Sequence, residues 1–227
     1  GTVTAVINGT GYEITTLRHD VETDGRRARV AFTDDWAADA ARRDFTVNAL
    51  YADADGHIYD PLGTGLPDIA RRKIRFIGDA QTRIREDALR ILRFFRFHTS
   101  YGRGVPDRKS LDACTALAPL INNLSRERVT KEFFGLISHP RAGKTLSLMA
   151  AHAILPHILP KKLNTARFDY LAKLQINTPA LTHDAFMATR LFALGPELSK
   201  KSATGPSPLI INTKMQTILD AINAEKI

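Results

Sequence analysis

The sequence predicts a small mixed α/β piece followed by an all-helical piece. Two observations carry that division: β-prone runs around an Asn-Gly turn open the chain, and apolar residues beyond residue 80 recur at helical spacing. A third is the Gly- and Pro-rich stretch from Asp55 to Gly65, whose turn chemistry reads as a seam between the two pieces.

Taken in order, TVTAVI (2–7), NGTG (8–11) and YEITTLR (12–18) read as a β-hairpin. DVETDGRRARV reads as a polar, mobile loop leading to a short strand, RVAF, at 29–32. DDWAADAARRDFTVNALYAD looks helical at first, with Asp34 or Asp35 as N-cap, and turns β-like towards Ala49, Leu50 and Tyr51. Past the seam, Ile84, Ala88, Ile91, Leu92 and Phe95 form one apolar stripe of a single expected helix, with further helices near 108–120, 125–138 and 141–153. From Pro156 onward more helices are expected, with a flexible KKSATGPSP stretch at 200–208 before a last one.

The chain has 32 Lys and Arg against 24 Asp and Glu, a net charge of +8 that favours a polyanionic partner such as nucleic acid or an acidic membrane surface. The lone Cys114 excludes an internal disulfide framework and a Cys-based zinc cluster, and a reducing, cytosol-like compartment is the default expectation. No apolar run reaches about 18 residues and no charged-then-apolar leader pattern opens the chain, so a membrane role is not expected. His152 and His157 lack metal-site partners in the sequence and read as structural.

REDALRILRFFRF (85–97) raises a sharper possibility. On a helix, residues three apart share a face, so Asp87 and Arg90 can set a carboxylate beside a guanidinium. The carboxylate accepts from an amino group while the guanidinium donates to a ring nitrogen or carbonyl, a pattern that cytosine and adenine satisfy and uracil and guanine do not. A buried mismatch of that kind costs about 1–3 kcal/mol per unsatisfied group. The same spacing also makes ordinary surface ion pairs worth roughly 0.2–0.5 kcal/mol.

RRDFTVNAL (42–50), DPLGTGLPD (60–68), RFIGD (75–79) and REDALRILRFFRF together resemble, in content and order, the bacterial-type class II tRNA nucleotidyltransferases (CCA-adding enzymes) and the related bacterial poly(A) polymerases. GTVTAVI, EITTLR and SRERVTKEF (125–133) are similar to further family segments, so the resemblance spans most of residues 1–153. It implies the remnant of a nucleotidyltransferase head sheet followed by a helical neck and body: residues 1–60 as the C-terminal part of the head, 61–155 as the neck, 156–227 as a body segment.

What the resemblance implies for individual residues is specific. Asp87 and Arg90 match the base-reading pair, with Glu86 positioning Arg90; Arg42, Arg43 and Asp44 match the motif that holds ribose and phosphates, and Asn48 buttresses it or caps a turn. Asp60, Gly63 and Asp68 match a flexible link between head and neck. Arg126, Glu127 and Arg128 match a neck motif that orients the preceding helix, although Ser125 as an N-cap explains much of it. Glu13 matches the third catalytic carboxylate, a possible Mg²⁺ ligand. The family's Asp-x-Asp motif is expected upstream of the first strand, so the chain reads as a fragment lacking the main metal ligands and inactive alone, unless a preceding segment or partner chain supplies them. The implied activity is addition of CCA to tRNA from CTP and ATP with Mg²⁺, in the cytoplasm or an organellar matrix. Poly(A) synthesis, and a non-catalytic RNA-binding role through Arg103, Arg108, Lys109, Lys131, Arg141 and Lys144, remain the alternatives.

Overall fold

The computed structural model describes residues 2–24, 27–159, 167–168, 170–171, 183–194 and 213–224. The chain divides into two compact units, Gly1–Asp87 and Ala88–Ile227. Strands occur in the first unit, while the described elements of the second are helical.

In the first unit, β1 (Thr2–Ile7) and β2 (Thr10–Thr15) pair antiparallel from Thr2↔Thr15 to Ile7↔Thr10. Asn8 and Gly9 turn between them with φ of 51° and 78°, the left-handed pair that a two-residue hairpin demands and that Asn-Gly supplies at little cost. Val3, Val6, Ile7, Tyr12 and Ile14 are exposed on this hairpin.

The stretch expected as a mobile loop is instead a second hairpin, β3 (Arg18–Asp24) with β4 (Arg27–Phe32), irregular between Asp20 and Glu22. The reading missed it because the segment is rich in Asp, Glu and Arg and carries no alternating apolar signal, although its register runs from Arg18↔Phe32 to Asp24↔Arg27.

Asp35 caps α1 (Trp36–Ala41), its Oδ1 accepting the N–H groups of Ala37 at 2.8 Å and Ala38 at 3.2 Å. The longer helix expected here stops at Arg42. Asp44 then draws the backbone away, its Oδ1 accepting from the Phe45 N–H at 2.9 Å and Asn48 Nδ2 at 2.9 Å. This is the local competition by which short polar side chains end helices. A 3₁₀ turn, Thr46–Asn48, leads to the short pair β5 (Tyr51–Ala52) and β6 (Ile58–Tyr59), followed by α2 (Gly65–Ala70) and α3 (Ala80–Glu86). Ala40, Ala49 and Ile77 form a small core with Tyr51 and Leu62 against it, and the buried rings of Phe45 and Phe76 lie 5.0 Å apart.

Asp60, Gly63 and Asp68 lie in the turn before α2 and within it, and each has a defined local arrangement. Asp60 Oδ2 accepts the Leu66 N–H at 2.9 Å, and Gly63 sits at φ 64°. Asp68, 1% exposed, accepts at Oδ2 from the Thr46 hydroxyl at 2.7 Å and from Arg75 Nε at 2.8 Å, with Arg75 Nη2 2.7 Å from its Oδ1 as an ion pair.

In the second unit, α4 (Leu89–Ser100) buries Ile91, Leu92, Phe94 and Phe95, and packs on α6 (Arg126–Ile137), which buries Val129, Phe133 and Leu136. A Cβ on Gly135 would stand 2.9 Å from Arg96 Cδ, so glycine is what admits that side chain against α6. Between them come α5 (Arg108–Ala116), capped by Asp107, and a 3₁₀ turn at Ala118–Asn123. After α6 follow α7 (Ala142–Ala151), a 3₁₀ turn at Leu155–His157, and the helices His183–Leu194 and Thr213–Ala224. The Thr99 hydroxyl donates to that of Thr145 at 2.7 Å, tying α4 to α7, and Thr115 Oγ1 lies 3.1 Å from His152 Nδ1. The stretch at 200–208 lies outside the described residues. Ser125 does precede α6 in extended conformation, but its side chain makes no capping bond.

Arginines close two helix ends in this unit. Arg141 donates to the carbonyls of Ser100 at 2.7 Å and Gly102 at 2.9 Å, past the end of α4. Arg190, 1% exposed, donates to Ile137 and His139 at the end of α6, and burial pulls its guanidinium down to about 10.

Candidate functional site

The residues expected to hold ribose and phosphates occupy the bend that leaves α1. Arg43 is fixed on three sides: Nε and Nη2 donate to Asp39 Oδ2 at 3.2 and 2.9 Å, Nη1 donates to the Asn48 carbonyl at 3.2 Å, and its Cζ stands 5.0 Å over the Tyr51 ring. Arg42 Nη1 lies 3.9 Å from Asp39 Oδ1. Asp44 is buried and accepts from Asn48 Nδ2, which ties that amide into the same bend.

Asp39 is the hub. Besides the arginines it accepts from the Tyr51 hydroxyl at 2.7 Å and the Arg18 backbone N–H at 3.1 Å. Burial alone would raise its carboxyl; the hydrogen bonds from Tyr51, Arg18 and Arg43, with the Arg43 charge, outweigh this and hold it below the usual carboxylate value. Tyr51 is pushed up to about 12 by burial and by its bond to Asp39. Arg43 retains 41% side-chain exposure, so it is pre-oriented yet still able to meet a ligand.

The expected single helix through Asp87 and Arg90 is broken. Asp87 ends α3 with extended backbone, φ −153° and ψ 104°, and its N–H donates to the Arg83 carbonyl at 3.4 Å. Arg90 belongs to the first turn of α4, so the pair does not share one continuous helix face and Ile84 leaves the apolar stripe assigned to it. The residue type is consistent with the break, since Asp is a poor helix-interior residue, whose short side chain competes for backbone hydrogen bonds.

Arg83 was missed by the sequence reading. It is buried, and its Nη2 donates to the carbonyls of both Arg42 and Arg43 while Nη1 donates to Glu86 Oε2 at 2.6 Å. The Arg83/Glu86 spacing signals the ion pair; nothing in the sequence signals the carbonyls some forty residues earlier. Asp39 was equally legible only as an i,i+4 partner of Arg43.

Glu13 is exposed on β2, opposite Thr4. It is the sole acid of residues 1–15, and one carboxylate does not make the paired oxygen site that two Mg²⁺ ions require. Among the described residues, Asp53, Asp55 and His57 form a close group, but Asp53 already accepts from the backbone N–H groups of His57 and Asp55, the Tyr59 hydroxyl and the His57 ring. The described residues therefore do not fit a two-ion centre. Of the expected RNA-contacting residues, Arg103, Arg108, Lys109, Lys131 and Lys144 are exposed, whereas Arg141 is committed to the end of α4.

Residues 1–75 match the Poly A polymerase head domain, and residues 106–163 match the family described as a probable RNA and SrmB-binding site of polymerase A. The chain belongs to the tRNA nucleotidyltransferase and poly(A) polymerase family. It is 40% identical over 179 residues to the mitochondrial CCA tRNA nucleotidyltransferase 1 of Mus musculus, covering 76% of this chain and 40% of that protein. It is 42% identical over 153 residues to the CCA-adding enzyme of Geobacillus thermodenitrificans, covering 66% of this chain and 37% of that one. The crystal structure of the Bacillus stearothermophilus CCA-adding enzyme in complex with CTP superposes with a TM-score of 0.70 at 30% identity, over 99% of this chain and 53% of that chain. The chain thus spans between about a third and about a half of these relatives.

Proposed function

We propose that this chain is the nucleotide-recognition portion of an RNA 3′-end nucleotidyltransferase that adds C and A to tRNA from CTP and ATP. The observation that carries the reading is the placement of the Arg42–Asp44 bend against α3, whose last residue is followed directly by Asp87. Relatives bearing the CCA-adding name support it.

In this reading Arg42 and Arg43 meet the triphosphate, Asp44 meets ribose hydroxyls and Asn48 holds the bend. Asp87 accepts from the exocyclic amino group of cytosine or adenine, and Arg90, steadied by Glu86, donates to the adjacent ring nitrogen. The reaction joins a primer 3′ hydroxyl to the α-phosphorus and releases pyrophosphate. Mg²⁺ supplies the electrophilic clamp in chemistry of this class, and Glu13 alone does not hold it. Arg103, Arg108, Lys109, Lys131 and Lys144 supply phosphate contacts to RNA. Residues 1–60 belong to the head, 61–155 to the neck and 156–227 to the body, and the enzyme works in the cytoplasm or an organellar matrix.

The test is equilibrium binding of CTP, ATP, UTP and GTP, alongside Asp87→Ala. Tighter binding of CTP and ATP that levels in the variant is expected. Binding of ATP alone would favour poly(A) synthesis, and tRNA binding with no nucleotide preference would favour a non-catalytic RNA-binding role.

A further inference from the structure

We propose that Arg83 is a positioning residue that couples the bend holding the nucleotide's sugar and phosphates to the residue that reads its base; this rests on the nucleotide-recognition reading above. The coupling runs through one residue in two directions. Its side chain donates to the main-chain carbonyls of Arg42 and Arg43, and its own carbonyl accepts the N–H of Asp87 at 3.4 Å. Its remaining terminal nitrogen holds Glu86 at 2.6 Å, the residue just before Asp87. A shift of the bend therefore pulls on α3 at the turn that ends in Asp87, and a shift of Asp87 pulls on the carbonyls that fix how Arg42 and Arg43 leave the backbone.

Only a guanidinium serves this geometry. Two carbonyls and a carboxylate must be met from one planar, permanently charged group, and Arg42 is the C-cap of α1, where the helix dipole favours a cation. A lysine ammonium reaches such acceptors as a point charge and does not hold their relative orientation. Arg83 is also 9% exposed, so its donors are shielded from water and their loss is not made good by solvent.

A helix-capping role with no further consequence is the rival explanation, and Arg190 supplies the internal control: it too is a buried arginine bridging main-chain carbonyls, at the end of α6. The experiment is equilibrium binding of CTP and UTP to the full chain and to Arg83→Gln, Arg83→Lys and Arg190→Gln, with Trp36 fluorescence reporting the folded fraction of the first unit and urea midpoints reporting stability. Arg83→Gln is expected to weaken CTP binding about tenfold, the scale of one charge-assisted hydrogen bond, and to bring the CTP:UTP ratio towards one. Arg83→Lys is expected to recover part of the affinity and less of the ratio. Arg190→Gln is expected to lower the urea midpoint and leave the ratio intact. Folded Arg83 variants that keep the parent's ratio would overturn the coupling alone. Failure of both Arg83 variants to fold would assign the residue a purely structural role and overturn it likewise. A parent chain that binds CTP and UTP equally would overturn the recognition reading, and the coupling with it.

Discussion

Two clusters built from the same parts behave differently. Arg42, Arg43, Asp39 and Tyr51 in the first unit, and Arg93, Arg96, Glu132 and Phe97 in the second, each combine two guanidiniums, one buried carboxylate and one ring. In the second, Glu132 meets Arg96 Nε at 2.6 Å and Arg93 at 3.5 Å, and both guanidiniums stand over Phe97 at 4.6 and 5.3 Å. The ring there offers only its face. In the first, the ring carries a hydroxyl that donates to the carboxylate, and a backbone N–H closes the set. The helix-pair cluster thus fastens α4 to α6, while the bend cluster fixes the direction in which an exposed arginine points. An arginine count would treat them alike; the hydrogen-bond partners of the carboxylate separate them.

The largest expected effect is from Asp39→Ala. It leaves Arg43, the Tyr51 hydroxyl and the Arg18 N–H without their shared acceptor, so urea unfolding should show a loss of about 3 kcal/mol. A loss below about 1 kcal/mol would mean that the bend cluster is an open surface pair. Glu132→Gln keeps one acceptor oxygen and removes the charge between two guanidiniums, and about 2 kcal/mol is expected by the same measurement. Equal losses from Tyr51→Phe and from a change at Glu132 would erase the distinction between the clusters.

Tyr51→Phe keeps the ring under Arg43 and deletes only the hydroxyl, at an expected cost of about 1 kcal/mol at neutral pH. Its signature is the pH dependence. Asp39 lies below its ordinary 3.8 in the fold, so its contribution is complete above that value and lost as pH falls through the folded value. Tyr51 is raised from 10.0 to about 12, so its contribution is complete below 10.0 and lost as pH rises towards 12. Stability measured against pH should lose its alkaline step in Tyr51→Phe, and its acid step should move to higher pH; an unchanged alkaline limb would contradict the assignment. The smallest effect is expected from Arg108→Ala: its pair with Asp112 spans 3.6 Å with side-chain exposures of 92% and 65%, and urea unfolding should change by no more than about 0.5 kcal/mol.

The sequence was legible where local chemistry decides. Asn8-Gly9 announced the hairpin, Asp35 announced the start of α1, and the apolar spacing from Ala88 to Phe95 announced α4. It misled where two local preferences compete. Asp44 and Asp87 each end a helix that the apolar pattern would have continued, and β3 and β4 hide behind charged residues whose alternation carries no hydrophobic signal. The roles proposed for Arg42, Arg43, Asp87 and Arg90 came through resemblance. The restraints on them did not, because Asp39, Tyr51 and Arg83 act through contacts that span elements, as Arg83 does to carbonyls that leave no mark on residue type.

The most direct test of base reading by Asp87 replaces the group it is said to accept from. CTP and the triphosphate of a pyrimidin-2-one riboside, which lacks the exocyclic amino group, should be titrated against the parent chain and Asp87→Ala. The parent is expected to bind the analogue about tenfold more weakly than CTP, and Asp87→Ala to bind the two alike, since one charge-assisted hydrogen bond is removed in either case. An undiminished preference for CTP in Asp87→Ala would contradict the account, because the amino group would then be read elsewhere.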